Sequence, residues 1–263
     1  MTTNNLKRIA VVNRGEPAVR FMRALREYNL ERGTQIRSVA IFTHPDEGAP
    51  FVRMADEAAR IGAAMVAGKD GAMISAYLDH DRIIEALRRH GCDAVWPGWG
   101  FVSEDPTFVE RLEAEGIVFL GPSSSAMRAL GDKIASKQLA ESYDVPVAPW
   151  FIVDDLDDAA IVVEAQRVGY PLMVKASAGG GGRGIRRVNE AASLLNAIGA
   201  VKDEVRKIFG QGGVFIEAAV TSARHIEVQL MVGVDGVACA LGVRECSIQR
   251  RNQKVIEEAP SPV

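Results

Sequence analysis

Short apolar runs alternate with helical spacings along the first half of the chain. RIAVVN reads as a buried strand, and GEPAVRFMRALREYN places Ala18, Phe21, Met22 and Leu25 on one helical face. The alternation continues through IRSVAIFT, the helical DRIIEALRRHG, CDAVWPG, the helical DPTFVERLEAEG and IVFLG. Strands separated by helices, rather than by hairpin turns, predict a parallel sheet covered on both faces. Residues 1–130 are therefore read as one open α/β layer of Rossmann type.

After Gly131 the rhythm changes. DKIASKQLAESYDV predicts a helix, and a second is expected over 157–168. The strand PLMVKA, a glycine tract and the strand RGIRRV follow. A helix over 190–209 and the strand VFIEAAV come next. From Arg224 the runs lengthen. RHIEVQLMVG and VACALGVRE, joined by VDG, predict an antiparallel hairpin. The second half is thus expected to be α+β. The sequence stops at EEAPSPV with no closing element, which would leave that sheet open, so a longer protein is expected.

Composition narrows the classes of function. The 263 residues are 48% hydrophobic and 25% charged, and 31 basic against 34 acidic side chains give a net charge of −3. That balance offers no electrostatic basis for nucleic-acid or anionic-membrane binding. The apolar run after Lys7-Arg8 is too short for a signal-peptide core or a membrane span. Cys92, Cys239 and Cys246 have no CxxC spacing, and the four histidines form no HExxH pattern. The expectation is a cytoplasmic chain with no metal site of its own.

The candidate chemistry lies in MVKASAGGGGRGIRRV, residues 173–188. By composition a glycine tract is a flexible spacer. The same tract can instead cradle phosphate oxygens, since glycines let backbone N–H groups approach an anion closely. It is not a Walker A loop, because Lys175 precedes the glycines and a strand follows them. The first strand–helix junction, NRGEPA, carries no GxGxxG either. A β-hairpin flap with a lysine on its incoming strand fits better, closing over a triphosphate as a lid.

In order along the chain, KRIAVVNRGE, GDKIAS, VKASAGGGGRG, RHIEVQ and SIQRRNQKVIEEAPSP resemble the biotin carboxylase component of biotin-dependent carboxylases, within the ATP-grasp superfamily. The resemblance implies a Rossmann-like N-terminal domain over 1–130, an ATP-grasp linker and lid over 131–219, and the start of the C-terminal subdomain over 220–263. It implies Mg-ATP- and bicarbonate-dependent carboxylation of carrier-bound biotin through carboxyphosphate. Lys133 and Lys175 would hold the ATP phosphates, and Gly181 and Gly182 would approach them through their backbone. Glu217, Ala218, Ala219 and Val220 would line the adenine, with Ala218 standing where relatives often carry lysine. His225 and Gln249 match ribose and phosphate-side contacts. Lys254 matches the lysine beside bicarbonate and the developing phosphate, and is the one catalytic assignment. Asn252 replaces a usual histidine; it can form hydrogen bonds but cannot titrate near neutrality. Arg250 and Arg251 are expected to pair with Glu257 and Glu258.

The family's Mg ligands, general base and biotin-contacting arginines have no matching positions before Val263. Two alternatives stay open: another ATP-grasp carboxylate ligase, or a non-catalytic nucleotide-binding module. AVWPGWGFVSEDP and ALGDKIASKQLAESYDVPVAPW lean toward the large acyl-CoA carboxylases. That leaning implies a biotin carboxyl carrier and a carboxyltransferase as partners, on the same chain or in the same complex, and a homo-oligomer. The acceptor, whether acetyl-CoA, propionyl-CoA, a longer acyl-CoA or pyruvate, is not encoded in these residues.

Overall fold

The computed structural model describes residues 6–69, 71–177, 184–209, 212–250 and 253–262. The chain forms two compact units, Met1–Ala129 and Leu130–Val263.

In the first unit the elements run β1 (Arg8–Val11), α1 (Gly15–Arg32), β2 (Arg37–Phe42), α2 (Pro50–Met54), β3 (Glu57–Arg60), β4 (Met65–Ala67) and β5 (Met73–Ser75). They continue with α3 (His80–Arg89), β6 (Ala94–Trp96), α4 (Pro106–Ala114) and β7 (Val118–Phe119). Five strands make a parallel sheet in the order β3-β2-β1-β6-β7. Because successive side chains of a strand point to opposite faces, Val11 and Ala40 meet Ala18 and Met22 of α1, whereas Ala10 and Ile41 meet Ile83, Leu87 and Leu112 of α3 and α4. Both faces are buried, which is why the strands read as continuous apolar runs. The helix read from Ala18, Met22 and Leu25 is α1, and these three are its buried residues. Phe21 lies beside them, stacked on Trp96 at 4.5 Å between ring centroids. The small antiparallel pair β4–β5 has no counterpart in the sequence reading.

The chain enters the second unit through α5 (Ser124–Gly131), followed by α6 (Lys133–Ser142), β8 (Trp150–Ile152), α7 (Asp158–Val168), β9 (Leu172–Ala176) and β10 (Ile185–Val188). Then come α8 (Leu194–Phe209), β11 (Val214–Ala218), β12 (Ile226–Val232), β13 (Ala238–Arg250) and β14 (Gln253–Glu258). The helix expected from 190 begins only at Leu194, after a single 3-10 turn over Ala191–Ser193. Four strands form an antiparallel sheet, β10-β9-β11-β8, and three form a second, β12-β13-β14.

The first of these sheets is covered on one face by α7 and α8. Leu172 and Val174 of β9 and Val214 and Ile216 of β11 pack there against Ile161, Ala165, Leu194, Ile198 and Val201. Alternation then sends Met173, Lys175, Phe215 and Glu217 to the opposite face. In the second sheet Val228, Leu230, Ile248, Val255 and Ile256 are all exposed.

Candidate functional site

Two polar clusters, one on each sheet of the second unit, contain six of the residues singled out above: Lys133, Lys175 and Glu217 in the first, His225, Gln249 and Lys254 in the second. The first is built by register. Phe215 lies opposite Lys175, and Glu217 lies opposite both Met173 and Trp150. Lys175, Phe215, Glu217 and Trp150 therefore share the face turned away from α7 and α8. Trp150 meets Phe215 edge-on at 6.2 Å. Over this face runs α6, whose start is fixed by Asp132: its carboxylate accepts from the N–H groups of Ile134 and Ala135 at 2.9 and 2.8 Å, an N-cap. The aspartate of GDK thus sets the helix that carries Lys133.

Lys133 donates from Nζ to the Ser177 carbonyl at 3.3 Å, at the last described residue before the glycine tract. Burial lowers its pKa, Asp132 opposes the shift, and the positive charge of Lys175 reinforces it. Lys175 donates to Glu217 Oε1, and Lys137, one turn after Lys133, lies 2.8 Å from Glu217 Oε2. Burial pushes the Glu217 pKa up, but hydrogen bonds and charge from Lys137 and Lys175 outweigh it and hold the carboxyl below its ordinary value. Three ammonium groups, Lys133, Lys137 and Lys175, are thus gathered near the Glu217 and Asp132 carboxylates and the Ser177 carbonyl, a local excess of positive charge suited to a polyanion. Lys137 was not singled out from the sequence. Its spacing of four from Lys133, on the same helical face, was the available signal.

The residues expected to line a base follow Glu217 directly. Ala218 N–H donates to the Pro149 carbonyl at 2.9 Å and Ala219 N–H to that of Pro171 at 2.8 Å, so these two donors are engaged within the sheet. Val220 is exposed. The Glu217 carboxylate faces the lysines. Gly181, Gly182, Arg251 and Asn252 lie outside the described residues.

The second cluster lies on β12-β13-β14. Glu227, opposite Arg244 in register, takes its guanidinium and also the Lys254 ammonium. The Lys254 contact, followed by that of Arg244, holds the Glu227 pKa at about 2 against the opposing effect of desolvation. Gln249 Nε2 lies 2.9 Å from His225 Nδ1. With the amide donating, the imidazole carries its proton on Nε2, which faces Glu227 at 3.5 Å. His225, Gln249 and Lys254 are thus brought together around Glu227, a residue not singled out from the sequence. One pairing differs from expectation: Glu257 takes Arg244, at 2.5 Å, rather than Arg250. The register decides this: Arg250 lies opposite Gln253, whereas Glu245 lies opposite Glu258, so Glu257 falls beside Arg244, which has Glu227 on its other side.

A parallel α/β unit followed by an antiparallel sheet that carries Lys175 and Glu217 agrees with the ATP-grasp architecture, and the likeness to solved biotin carboxylases places the chain in that class. Residues 5–127 match the family model "Biotin carboxylase, N-terminal domain", and residues 132–263 match "Carbamoyl-phosphate synthase L chain, ATP binding domain". The chain is 42% identical over 257 residues to the propionyl-CoA carboxylase alpha chain of Ruegeria pomeroyi, covering 97% of this chain and 36% of the relative. It is 40% identical over 266 residues to the pyruvate carboxylase of Bacillus subtilis, covering 99% of this chain and 22% of that protein. It also superposes on the biotin carboxylase domain dimer of Hydrogenobacter thermophilus 2-oxoglutarate carboxylase, solved in complex with MgADP, ADP and bicarbonate. That match has a TM-score of 0.83 and 37% identity, and it covers 98% of this chain and 54% of the other. The chain belongs to the biotin carboxylase family, and it spans about half the length of these relatives or less.

Proposed function

We propose that the chain supplies the nucleotide-binding part of a biotin carboxylase, in which ATP and bicarbonate give carboxyphosphate and carrier-bound biotin takes up the released CO2. The observation that carries this reading is the convergence of Lys133 and Lys175 at the entrance to the glycine tract. Ammonium groups of that kind suit phosphate oxygens, since each is a compact charge on a flexible stem and can follow the phosphates as they shift. The tract itself, through Gly181 and Gly182, is read as the lid over them. Glu217 to Val220 is read as the edge of the adenine pocket, with Glu217 serving the lysines rather than the base. His225 and Gln249 are assigned to the ribose side.

Lys254 is assigned the charge that grows during phosphoryl transfer; Glu227, itself held by Arg244, fixes its ammonium beforehand. Preorganised charge of this kind contributes roughly 10²–10³ in rate. Among the described residues no group of three His, Cys, Asp or Glu side chains is placed to hold a metal ion.

The acceptor proposed is an acyl-CoA, with carrier and carboxyltransferase domains as partners in an oligomeric enzyme. The propionyl-CoA carboxylase relative supports an acyl-CoA, the pyruvate carboxylase relative supports pyruvate, and the dimer of the structural relative supports self-association. Among the described residues no helix is long and apolar enough to cross a membrane; a cytoplasmic location is part of the proposal. The test is ADP release by the protein as purified from its source, with bicarbonate, and with and without biotin. Bicarbonate-dependent, biotin-stimulated release that disappears in Lys175→Ala supports the reading. Release driven equally well by another carboxylic acid favours a different ATP-grasp ligase, and no release under any condition favours a binding module.

A further inference from the structure

We propose that Lys137 is a positioning residue of the nucleotide site, the standing counter-ion of Glu217 that frees Lys175 to leave this carboxylate for a phosphate. The inference rests on the function proposed above and concerns how its lysines are made available.

The Glu217 side chain is only 13% exposed, and its two oxygens are divided between Lys175 on Oε1 and Lys137 on Oε2. Were Lys175 its only partner, an arriving phosphate could recruit that lysine only by leaving a largely desolvated carboxylate unpaired. Such a step is strongly unfavourable. With Lys137 in place, the carboxylate keeps one ammonium throughout.

The geometry also distinguishes which lysine stays and which moves. The Lys137 ammonium lies 5.6 Å from the centroid of the Trp150 ring, a cation–π contact. The Trp150 indole N–H in turn donates to Glu141 Oε1 at 2.7 Å, one turn further along the same helix. Lys137 is thus held from two sides by groups that are themselves fixed. The more exposed Lys175 sits two residues before Ser177, at the edge of the glycine tract, where a phosphate would arrive.

The test is the affinity for ATP, measured by calorimetric titration of the whole protein and its variants. Lys137→Met leaves Lys175 as the sole partner of Glu217, so affinity should fall roughly ten- to a hundredfold, the worth of one charge-assisted hydrogen bond. Adding Glu217→Gln removes the charge that holds Lys175, and the double variant should return to within about threefold of Glu217→Gln alone. Lys137→Arg keeps a cation beside Oε2 and should stay within about threefold of the parent. A merely structural role, or direct contact of Lys137 with the nucleotide, would give a loss that Glu217→Gln does not rescue. That result overturns the inference, as does a Lys137→Met variant that binds like the parent or a Lys137→Arg variant as impaired as Lys137→Met. A parent protein that does not bind ATP overturns the proposed function and this inference together.

Discussion

Gly184, just past the glycine tract, is the residue at which the geometry of the loop base can be tested by a single methyl group. Its φ is +65°, its carbonyl accepts from Ala176 N–H at 2.9 Å, and its own N–H donates to Glu204 Oε1 at 3.1 Å. A Cβ placed there would lie 2.9 Å from the Ala176 Cβ. In Gly184→Ala the left-handed backbone costs about 1–2 kcal/mol. Carbon atoms in contact rest about 3.5–4.0 Å apart, so the strands must part by roughly 0.6–1 Å. Overpacking of that kind typically costs about 1–3 kcal/mol. The expected loss is therefore about 2–5 kcal/mol, concentrated where β9 and β10 meet. Denaturant unfolding gives the total, and hydrogen exchange of peptides spanning β9 and β10 shows where it falls. Measured in an Ala176→Gly background, the cost of Gly184→Ala should shrink by the packing component and keep the backbone one. Parent-like stability with unchanged exchange would refute both the left-handed conformation and the methyl contact.

Gly199, an exposed interior position of α8 with nothing within 4 Å of a built Cβ, gives the opposite sign: Gly199→Ala should stabilise by about 0.5–1 kcal/mol in the same unfolding assay, and destabilisation would contradict the helix there. Because burial and the Lys175 charge lower the Lys133 pKa, more of this amine is unprotonated at mildly alkaline pH. Competitive acetylation read by mass spectrometry should label it ahead of the exposed Lys7, and ATP should protect it; equal rates, or no protection, would count against the site. Glu227 titrates at about 2 when folded, below its ordinary 4.5. Its contribution to stability is therefore full above about pH 4.5 and is lost as pH falls toward about 2. Denaturant midpoints for the parent should decline over that interval more steeply than those of Glu227→Gln, and parallel curves would show that the Lys254 and Arg244 contacts do not persist in solution.

The first unit was legible because both faces of its sheet are buried: strands such as RSVAIF read as unbroken apolar runs, and α1 shows its buried face through Ala18, Met22 and Leu25. Its edge strand β3, EAAR, was not legible, because only Ala59 is buried and the residues around it are polar. The same holds for β14, QKVIEE, whose side chains are exposed or half-buried. At the site, motifs pointed to Lys133, Lys175, Glu217, His225, Gln249 and Lys254, and the structure brings them into two clusters. The partners of those residues could not be read from the sequence. Lys137 and Glu227 are ordinary charged positions until α6 is laid over β9 and β11, or until strand register sets Glu227 opposite Arg244. Such pairings depend on tertiary placement, which local spacing does not specify.

The most direct test of the account is a calorimetric titration of the protein and its Lys175→Ala variant with ATP. Saturable binding by the parent, weakened roughly tenfold or more in the variant, is the predicted result. Equal affinity in the two proteins, or no saturable binding by the parent, would contradict the assignment of this cluster to the phosphates of a nucleotide.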